Sequence, residues 1–471
     1  MISEHIENLI ESSLDFIPNN DQKRLLRHIS EFVANPDSEL FLLKGYAGTG
    51  KTSVVAALVG CLKKMGIATV LMAPTGRAAK VLSSYADAPA HTVHKTIYRM
   101  KSSGDDTSFS LAPNMHKDAV FIIDEASMIA TGSSEKTIFG SGNLLDDMMT
   151  YIKGGVRCKA IIVGDDAQLP PVGYSLSPAL DINNLDHYGN CAAAELREVA
   201  RQSGESGILF NATALRLQIE RNDIRLPVFD TRFSDIAVVP ASDLMETLAD
   251  AYAEYGHDET IVICRSNKRV NRYNEGIRNR ILCMESKIDA GDRVMIVKNN
   301  YQSLEGVGTM DFIANGDMAA VGRVKKYYNR YGFNFADLTL RFPDYDNAEI
   351  NSKAVIDALY SETSAMPASY SKDIYARVAE DYDHIANKRA RNDAVKSDPF
   401  YNALQIKFAY AITAHKSQGG QWKCVFLDNP YFHNDNITYE DLRWFYTALT
   451  RASEKLCLVN FDEKYFNRLD N

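Results

Sequence analysis

Nine residues at positions 45–53, G-Y-A-G-T-G-K-T-S, carry the plainest chemistry in the chain. They match G-x-x-x-x-G-K-[ST], a loop whose backbone N–H groups cradle the phosphates of a nucleotide. Gly45, Gly48 and Gly50 allow the tight turn, and Ala47, Thr49 and Ser53 complete the cradle. Lys51 would sit against the β- and γ-phosphates, and the Thr52 hydroxyl would hold Mg²⁺. The helix that starts there adds the partial positive charge of its N-terminus. A second cluster, F-I-I-D-E-A-S at 121–127, delivers two carboxylates to the end of an apolar run. Asp124 is suited to hold the magnesium ion, and Glu125 to polarise an attacking water. In V-G-D-D-A-Q-L-P-P, 163–171, Gln168 can sense the γ-phosphate and orient that water. Arg201, followed by Gln202, is either a phosphate-contacting arginine or half of a surface salt bridge. Gln22, just ahead of the phosphate loop, can pair with both edges of adenine.

These groups work together only if the chain brings them to one place. Residues 40–43, 69–73, 119–123 and 160–163 are short apolar runs alternating with helical stretches. That alternation predicts an α/β fold, a parallel sheet with helices on both faces. Each run ends in a polar cluster, and ligands in such sheets bind at the carboxyl ends of the strands, so the clusters should meet in one cleft. Ahead of them, Leu25, Leu26, Ile29 and Phe32 have helical spacing. In A-P-T-G-R-A-A-K, 73–80, Pro74 and Gly76 end a strand and open a helix. Thr75, Arg77 and Lys80 there fit two readings, contacts to a phosphate backbone or a capped helix with solvated charges. His91 and His94 have no third ligand nearby, which ranks a metal pair low. Residues 102–117 predict a loop or small hairpin standing off the sheet.

From about residue 205 the composition shifts. An apolar strand at 260–265 leads into a basic, Asn-rich helix at 267–281. The Asn315-Gly316 turn signal and short runs at 318–324 and 336–342 predict a small β-barrel. Residues 343–400 have the look of an inserted arm. The chain returns through a strand-like stretch at 408–413, a polar turn at 414–421 and a strand at 424–427. A helix at 442–453, with Tyr446, Thr447 and Arg451, precedes a last strand at 455–460.

The 471 residues fit about three domains. A net charge of −9 argues against coating nucleic acid by bulk charge and leaves room for a narrow basic groove. No run reaches a membrane span's length, residues 1–14 lack the pattern of a signal peptide, and the seven cysteines form no C-x-x-C pair. A cytoplasmic protein of a bacterial or phage-infected cell is expected, with no membrane partner.

The series of motifs, phosphate loop, A-P-T-G-R-A-A-K, I-I-D-E-A-S-M, V-G-D-D-A-Q-L-P-P, L-R-E-V-A-R-Q, A-I-T-A-H-K-S-Q-G and F-Y-T-A-L-T-R-A, resembles that of superfamily 1B DNA helicases, the RecD-like and Dda-like branch. It spans about 22–451. The resemblance implies two RecA-like parallel-sheet domains flanking an ATP·Mg²⁺ cleft, with an SH3-like β-barrel inserted in the second. The first domain would cover 1–200, with a wedge hairpin at 95–118. The second would cover 201–287 and 401–471, and the inserted barrel and helical arm 288–400. Arg201 and Arg451 would stabilise charge on the transferring phosphoryl group, and Tyr446 would pack near the base. Single-stranded DNA would meet Pro74, Thr75, Arg77, Thr92 and His94 on the first domain, and Asn267, Thr413, His415, Lys416 and Gln418 on the second. The expected activity is 5′–3′ translocation on single-stranded DNA and unwinding at single-strand/duplex junctions, by a monomer working beside replication or recombination proteins. The alternatives are a DNA-stimulated ATPase clamp and a P-loop kinase of a small molecule. The chain departs from the family's pattern at Asn19-Asn20-Asp21, where Leu-Thr is usual, and in a Ser/Gly-rich extension at 131–142. Phe109 is either a base-stacking wedge residue or an apolar hairpin residue.

Overall fold

The computed structural model describes residues 2–100, 109–132, 139–199, 205–300, 313–432 and 436–466. Six parallel strands form the first sheet, in the order Ala90–Thr92, Thr69–Ala73, Val120–Ile123, Lys159–Gly164, Leu40–Gly45, Cys191–Leu196. Side chains alternate across it. Phe41, Leu43, Ile122, Ile161 and Val163 enter one core, and Leu40, Leu42, Phe121, Ile123 and Ile162 the other. Both faces are covered, which is why these strands are apolar without a polar alternation.

A second parallel sheet runs Ala411–Thr413, Thr260–Cys264, Trp422–Asp428, Ala452–Val459, Ile236–Val239. Between its strands Thr260–Cys264 and Ala411–Thr413 the chain leaves to build a closed five-stranded barrel from Arg293–Ile296, Met318–Arg330, Phe333–Phe342, Ala348–Val355 and Leu404–Phe408. The arm helices Ala368–Asp381 and Lys388–Ser397 pack on the barrel through Tyr370, Ile374, Val378 and Val395 around Phe335 and Phe400. The stretch 408–413 is two strands, not one. It breaks at Ala409-Tyr410, where the Asn274 amide accepts from the N–H groups of Tyr410 and Ala411 and donates to the carbonyls of Phe408 and Ala411.

The same junction carries a buried ion pair. Arg278 Nε donates to Asp292 Oδ1 at 2.7 Å, Tyr410 donates to the same oxygen at 2.9 Å, and the guanidinium lies 4.3 Å from the Phe408 ring centroid. Removing Asp292 leaves the buried Arg278 with only the longer carboxylate contact to Asp289, 3.3 Å away, so Asp292→Ala should cost about 3 kcal/mol. The urea midpoint measures this, and the double variant Arg278→Met/Asp292→Leu should recover much of the loss.

In the hairpin, Tyr98–Met100 pairs antiparallel with Phe109–Leu111; residues 101–108 lie outside the described residues. Phe109 is buried, its ring 4.7 Å from that of Phe139, so it belongs to the hairpin's core rather than to a stacking tip. Gly140 N–H donates to the Phe109 carbonyl at 2.9 Å. The described end of the 131–142 extension thus buttresses the hairpin. Among the described residues no helix is long and apolar enough to cross a membrane.

Candidate functional site

At the carboxyl end of the first sheet lies a cleft of about 1010 Å³. The phosphate loop forms its floor. Gly48 and Gly50 have φ of 74° and 88°, and a Cβ on Gly50 would stand 2.5 Å from the Gln22 amide nitrogen. Both therefore need glycine, for conformation and for space. Lys51 heads the helix Lys51–Lys64 and folds back, its ammonium donating to the carbonyls of Gly45 and Tyr46 (2.8 Å to Tyr46) and lying 3.9 Å from Asp165 Oδ2. Thr52 and Ser53 are exposed beside it.

Asp124 and Glu125 follow the strand Val120–Ile123 into the same cleft. Asp124 accepts from the Glu125 N–H at 2.8 Å and from the Tyr85 hydroxyl. The first bond helps to hold Glu125 at φ 53°, in the left-handed region that an L side chain seldom adopts. Burial pushes the Glu125 carboxyl up, while Arg451 and Lys51 pull it back. The Thr52 hydroxyl and the Asp124 carboxylate line one cleft, a hard-oxygen donor set that fits Mg²⁺. Gln168 is buried, and its Oε1 has no hydrogen-bond partner among the described residues, an acceptor that a cleft water would satisfy.

The second sheet closes the cleft with Gln421, Thr450, Arg451, Ala452 and Ser453. Arg451 is 4% exposed. Its guanidinium donates to Thr447 O at 3.0 Å, Gly420 O at 3.2 Å and Thr450 Oγ1 at 3.2 Å, and it makes no ion pair among the described residues. Lys51 and Arg451, 400 residues apart, thus share one cavity.

Several side chains bolt the two sheet units together. The Tyr446 hydroxyl accepts from Ala47 N–H at 2.8 Å and donates to Asp165 Oδ2 at 2.7 Å. Leu169 is held on both sides, its N–H donating to Thr447 Oγ1 at 2.8 Å and its carbonyl accepting from Gln418 Nε2 at 2.6 Å.

Not every expected role matches these positions. Tyr446, expected near the base, is instead buried against the phosphate loop and does not line the cleft. Gln22 spends its amide locally, accepting from Asn19 N–H at 2.9 Å and donating to Thr49 O at 3.0 Å. Its partner Asn19 closes the capping box of the helix Asn20–Ala34, so the departure at 19–21 is a helix cap. Arg201 and Gln202 lie outside the described residues.

The expected nucleic-acid residues fall into two groups. Pro74, Thr75 and Thr92 stand at the carboxyl ends of the two strands at one edge of the first sheet; Asn267 and Thr413 stand correspondingly on the second. Thr75 and Thr92 also cap helices, accepting from Ala78 N–H at 3.2 Å and Lys95 N–H at 3.1 Å. His415 is half-buried, its pKa lowered by burial, and burial lowers that of Lys416 to about 8. The others face inward. His94 packs against Phe139 and Tyr98, and burial drives its pKa to about 4, a neutral ring at pH 7. Gln418 is taken up by Leu169, and Arg77 crosses to the second sheet unit. Among the described residues no cluster of three or more His, Cys, Asp or Glu could hold a metal, so His91 and His94 form no such site.

Asp165 and Tyr85 escaped the sequence reading. Asp165 follows its strand as Asp124 follows its own, and that parallel was the available signal. Tyr85 sits in the last turn of the helix Gly76–Ala86 with no motif around it.

Residues 18–225 match the AAA domain family, and residues 408–459 match the UvrD-like helicase C-terminal domain. An uncharacterized protein of Methanocaldococcus jannaschii is 23% identical over 95% of this chain; the match spans only 39% of that relative's length. The ATP-dependent DNA helicase dda of Enterobacteria phage T4 is 23% identical over 87% of this chain and 92% of its own. The ATP-dependent RecD2 DNA helicase of Deinococcus radiodurans is 28% identical over 37% of this chain and 21% of its own. A match to an AAA domain followed by one to a UvrD-like C-terminal domain, on two RecA-like sheets that share a nucleotide cleft, makes this chain similar to superfamily 1 DNA helicases of the RecD-like and Dda-like branch.

Proposed function

We propose that this chain is an ATP-driven DNA helicase that moves 5′ to 3′ along single-stranded DNA and parts duplex at a junction. The observation that carries the reading is the shared cleft, with Lys51 on one sheet unit and Arg451 on the other. Lys51 neutralises the β- and γ-phosphates, and Gln168 and Glu125 orient the water and draw on its proton. Thr52 and Asp124 would hold Mg²⁺, which supplies charge neutralisation on the phosphate oxygens. Arg451 reaches the transferring oxygens from across the cleft.

Binding of ATP then favours the closed arrangement of the two units and hydrolysis releases it, because the nucleotide contacts both only when they are closed. Pro74, Thr75 and Thr92 on one unit and Asn267, Thr413, His415 and Lys416 on the other grip the phosphate backbone. A change in their spacing with each cycle advances the strand. The single-stranded DNA and its junctions are the substrate, and the protein acts as a monomer.

Strand displacement with ATP and Mg²⁺ tests this on duplexes carrying a 5′ or a 3′ tail. Displacement of the 5′-tailed duplex alone is expected. Displacement of only the 3′-tailed duplex would reverse the polarity, and DNA-stimulated hydrolysis without displacement would make the chain a clamp.

A further inference from the structure

Arg77 lies in the first turn of the helix Gly76–Ala86, on the first sheet unit, yet its side chain ends on the second. Nη2 donates to the Gln421 carbonyl at 2.9 Å, and the guanidinium sits 4.1 Å from the Trp422 ring centroid. Trp422 is 1% exposed. The indole face is thus shielded from water while Arg77 is half-buried, and a cation over an indole gains strength as water is excluded. Arg77 Nε and Trp422 Nε1 are both buried without a hydrogen-bond partner among the described residues. A cost of that kind persists only where the arrangement serves something.

Residues 420–422 are also held by Arg451. Its Nη1 donates to Gly420 O at 3.2 Å, and its own carbonyl accepts from Trp422 N–H at 2.9 Å. A Cβ on Gly420 would come within 2.6 Å of Trp422 Cη2 and 2.8 Å of Arg77 Nε, so the turn tolerates no side chain there. Arg77 and Arg451 therefore both hold the three successive residues 420–422.

We propose that Arg77 and Trp422 are positioning residues that set Arg451 in the cleft, rather than contacts to nucleic acid. This rests on the ATP-hydrolysing reading above. When the two units close, Arg77 carries residues 420–422 with the first unit, and Arg451 follows.

In this view Arg77→Ala and Trp422→Leu each lower the DNA-stimulated kcat by about tenfold to thirtyfold, with KM for ATP and Kd for single-stranded DNA within about twofold of wild type. Trp422→Phe, which keeps an aromatic face, recovers most of the rate. The double variant is no slower than the slower single variant, because both remove one contact. A second readout needs no turnover. The chain has two tryptophans, so Trp444→Phe leaves Trp422 as the sole reporter. In that background Arg77→Ala should raise acrylamide quenching of Trp422 by roughly twofold or more, as the contact opens.

An Arg77→Ala protein with weaker DNA binding, a shallower salt dependence and full kcat at saturating DNA would overturn the proposal and return Arg77 to the DNA backbone. Unchanged quenching would also overturn it. Absence of hydrolysis in the wild type would instead sink the helicase reading, with the quenching arm still deciding whether Arg77 holds the turn.

Discussion

Replacing Lys51 with alanine is expected to lower ATP hydrolysis by about 10³-fold or more. The ammonium lies on the phosphate loop at the wall of the cleft. It rests on the carbonyls of Gly45 and Tyr46, groups that a phosphate oxygen displaces at little cost because both remain able to accept from other donors. The loss reaches beyond one missing cation. Asp165 is 1% exposed and burial raises its pKa; Lys51 is the foremost influence opposing that rise. Without Lys51 the Asp165 carboxyl moves further up. Its ionised form, which now accepts from the Tyr446 hydroxyl and the Ala167 N–H, loses ground to the protonated form. A raised carboxylate pKa means stability that is full at low pH and lost as pH rises through the folded value. Lys51→Ala should therefore lose more Tm than wild type as pH rises from the ordinary carboxylate range towards neutrality. Phosphate release and thermal melts across that range check both parts. Turnover within tenfold of wild type would remove Lys51 from the chemistry.

The phosphate loop and the acidic strand end were legible because each is local. A glycine turn closing on Lys51-Thr52, or an apolar run closing on Asp124-Glu125, holds its meaning within ten residues. The same holds for strands such as Leu40–Gly45 and Lys159–Gly164, whose apolar runs follow from burial on both faces. The strand Cys191–Leu196, C-A-A-A-E-L, was invisible. Three alanines carry little β preference, and the strand exists because Leu40–Gly45 offers it a full parallel register. Likewise Ala90–Thr92 is three residues long and is fixed by pairing with Thr69–Ala73.

Roles set by tertiary placement were the least legible. Gln418 and Arg77 look from their motifs like side chains for a ligand, and both instead reach the opposite sheet unit. Tyr446 meets Ala47 across 399 residues of chain, and nothing near either residue announces it. The cleft's position could be argued in advance from strand ends, but the contacts that hold its halves together could not.

Arg451→Ala should abolish turnover by about 10³-fold or more while leaving the fold at least as stable. The two effects have one cause. Arg451 is buried against two carbonyls and a hydroxyl, with no carboxylate bonded to it among the described residues. Neutral acceptors repay only part of the desolvation of a guanidinium, and Glu125 acts on it through space without bonding to it, so its charge is only partly compensated in the resting protein. It gains its full partner only when negative charge builds on phosphoryl oxygens in the cleft. An interaction made in the transition state and absent from the ground state raises kcat rather than lowering KM. Alanine should thus cut kcat with KM changed by no more than about threefold. Its urea midpoint should stay put or rise, the opposite of the Asp292→Ala result. Arg451→Lys should not rescue the rate, because an ammonium cannot reproduce the planar fork that spans Thr447 O and Gly420 O. A variant that lost stability and activity in proportion would mean that Arg451 is a strut of the second sheet unit and no part of hydrolysis.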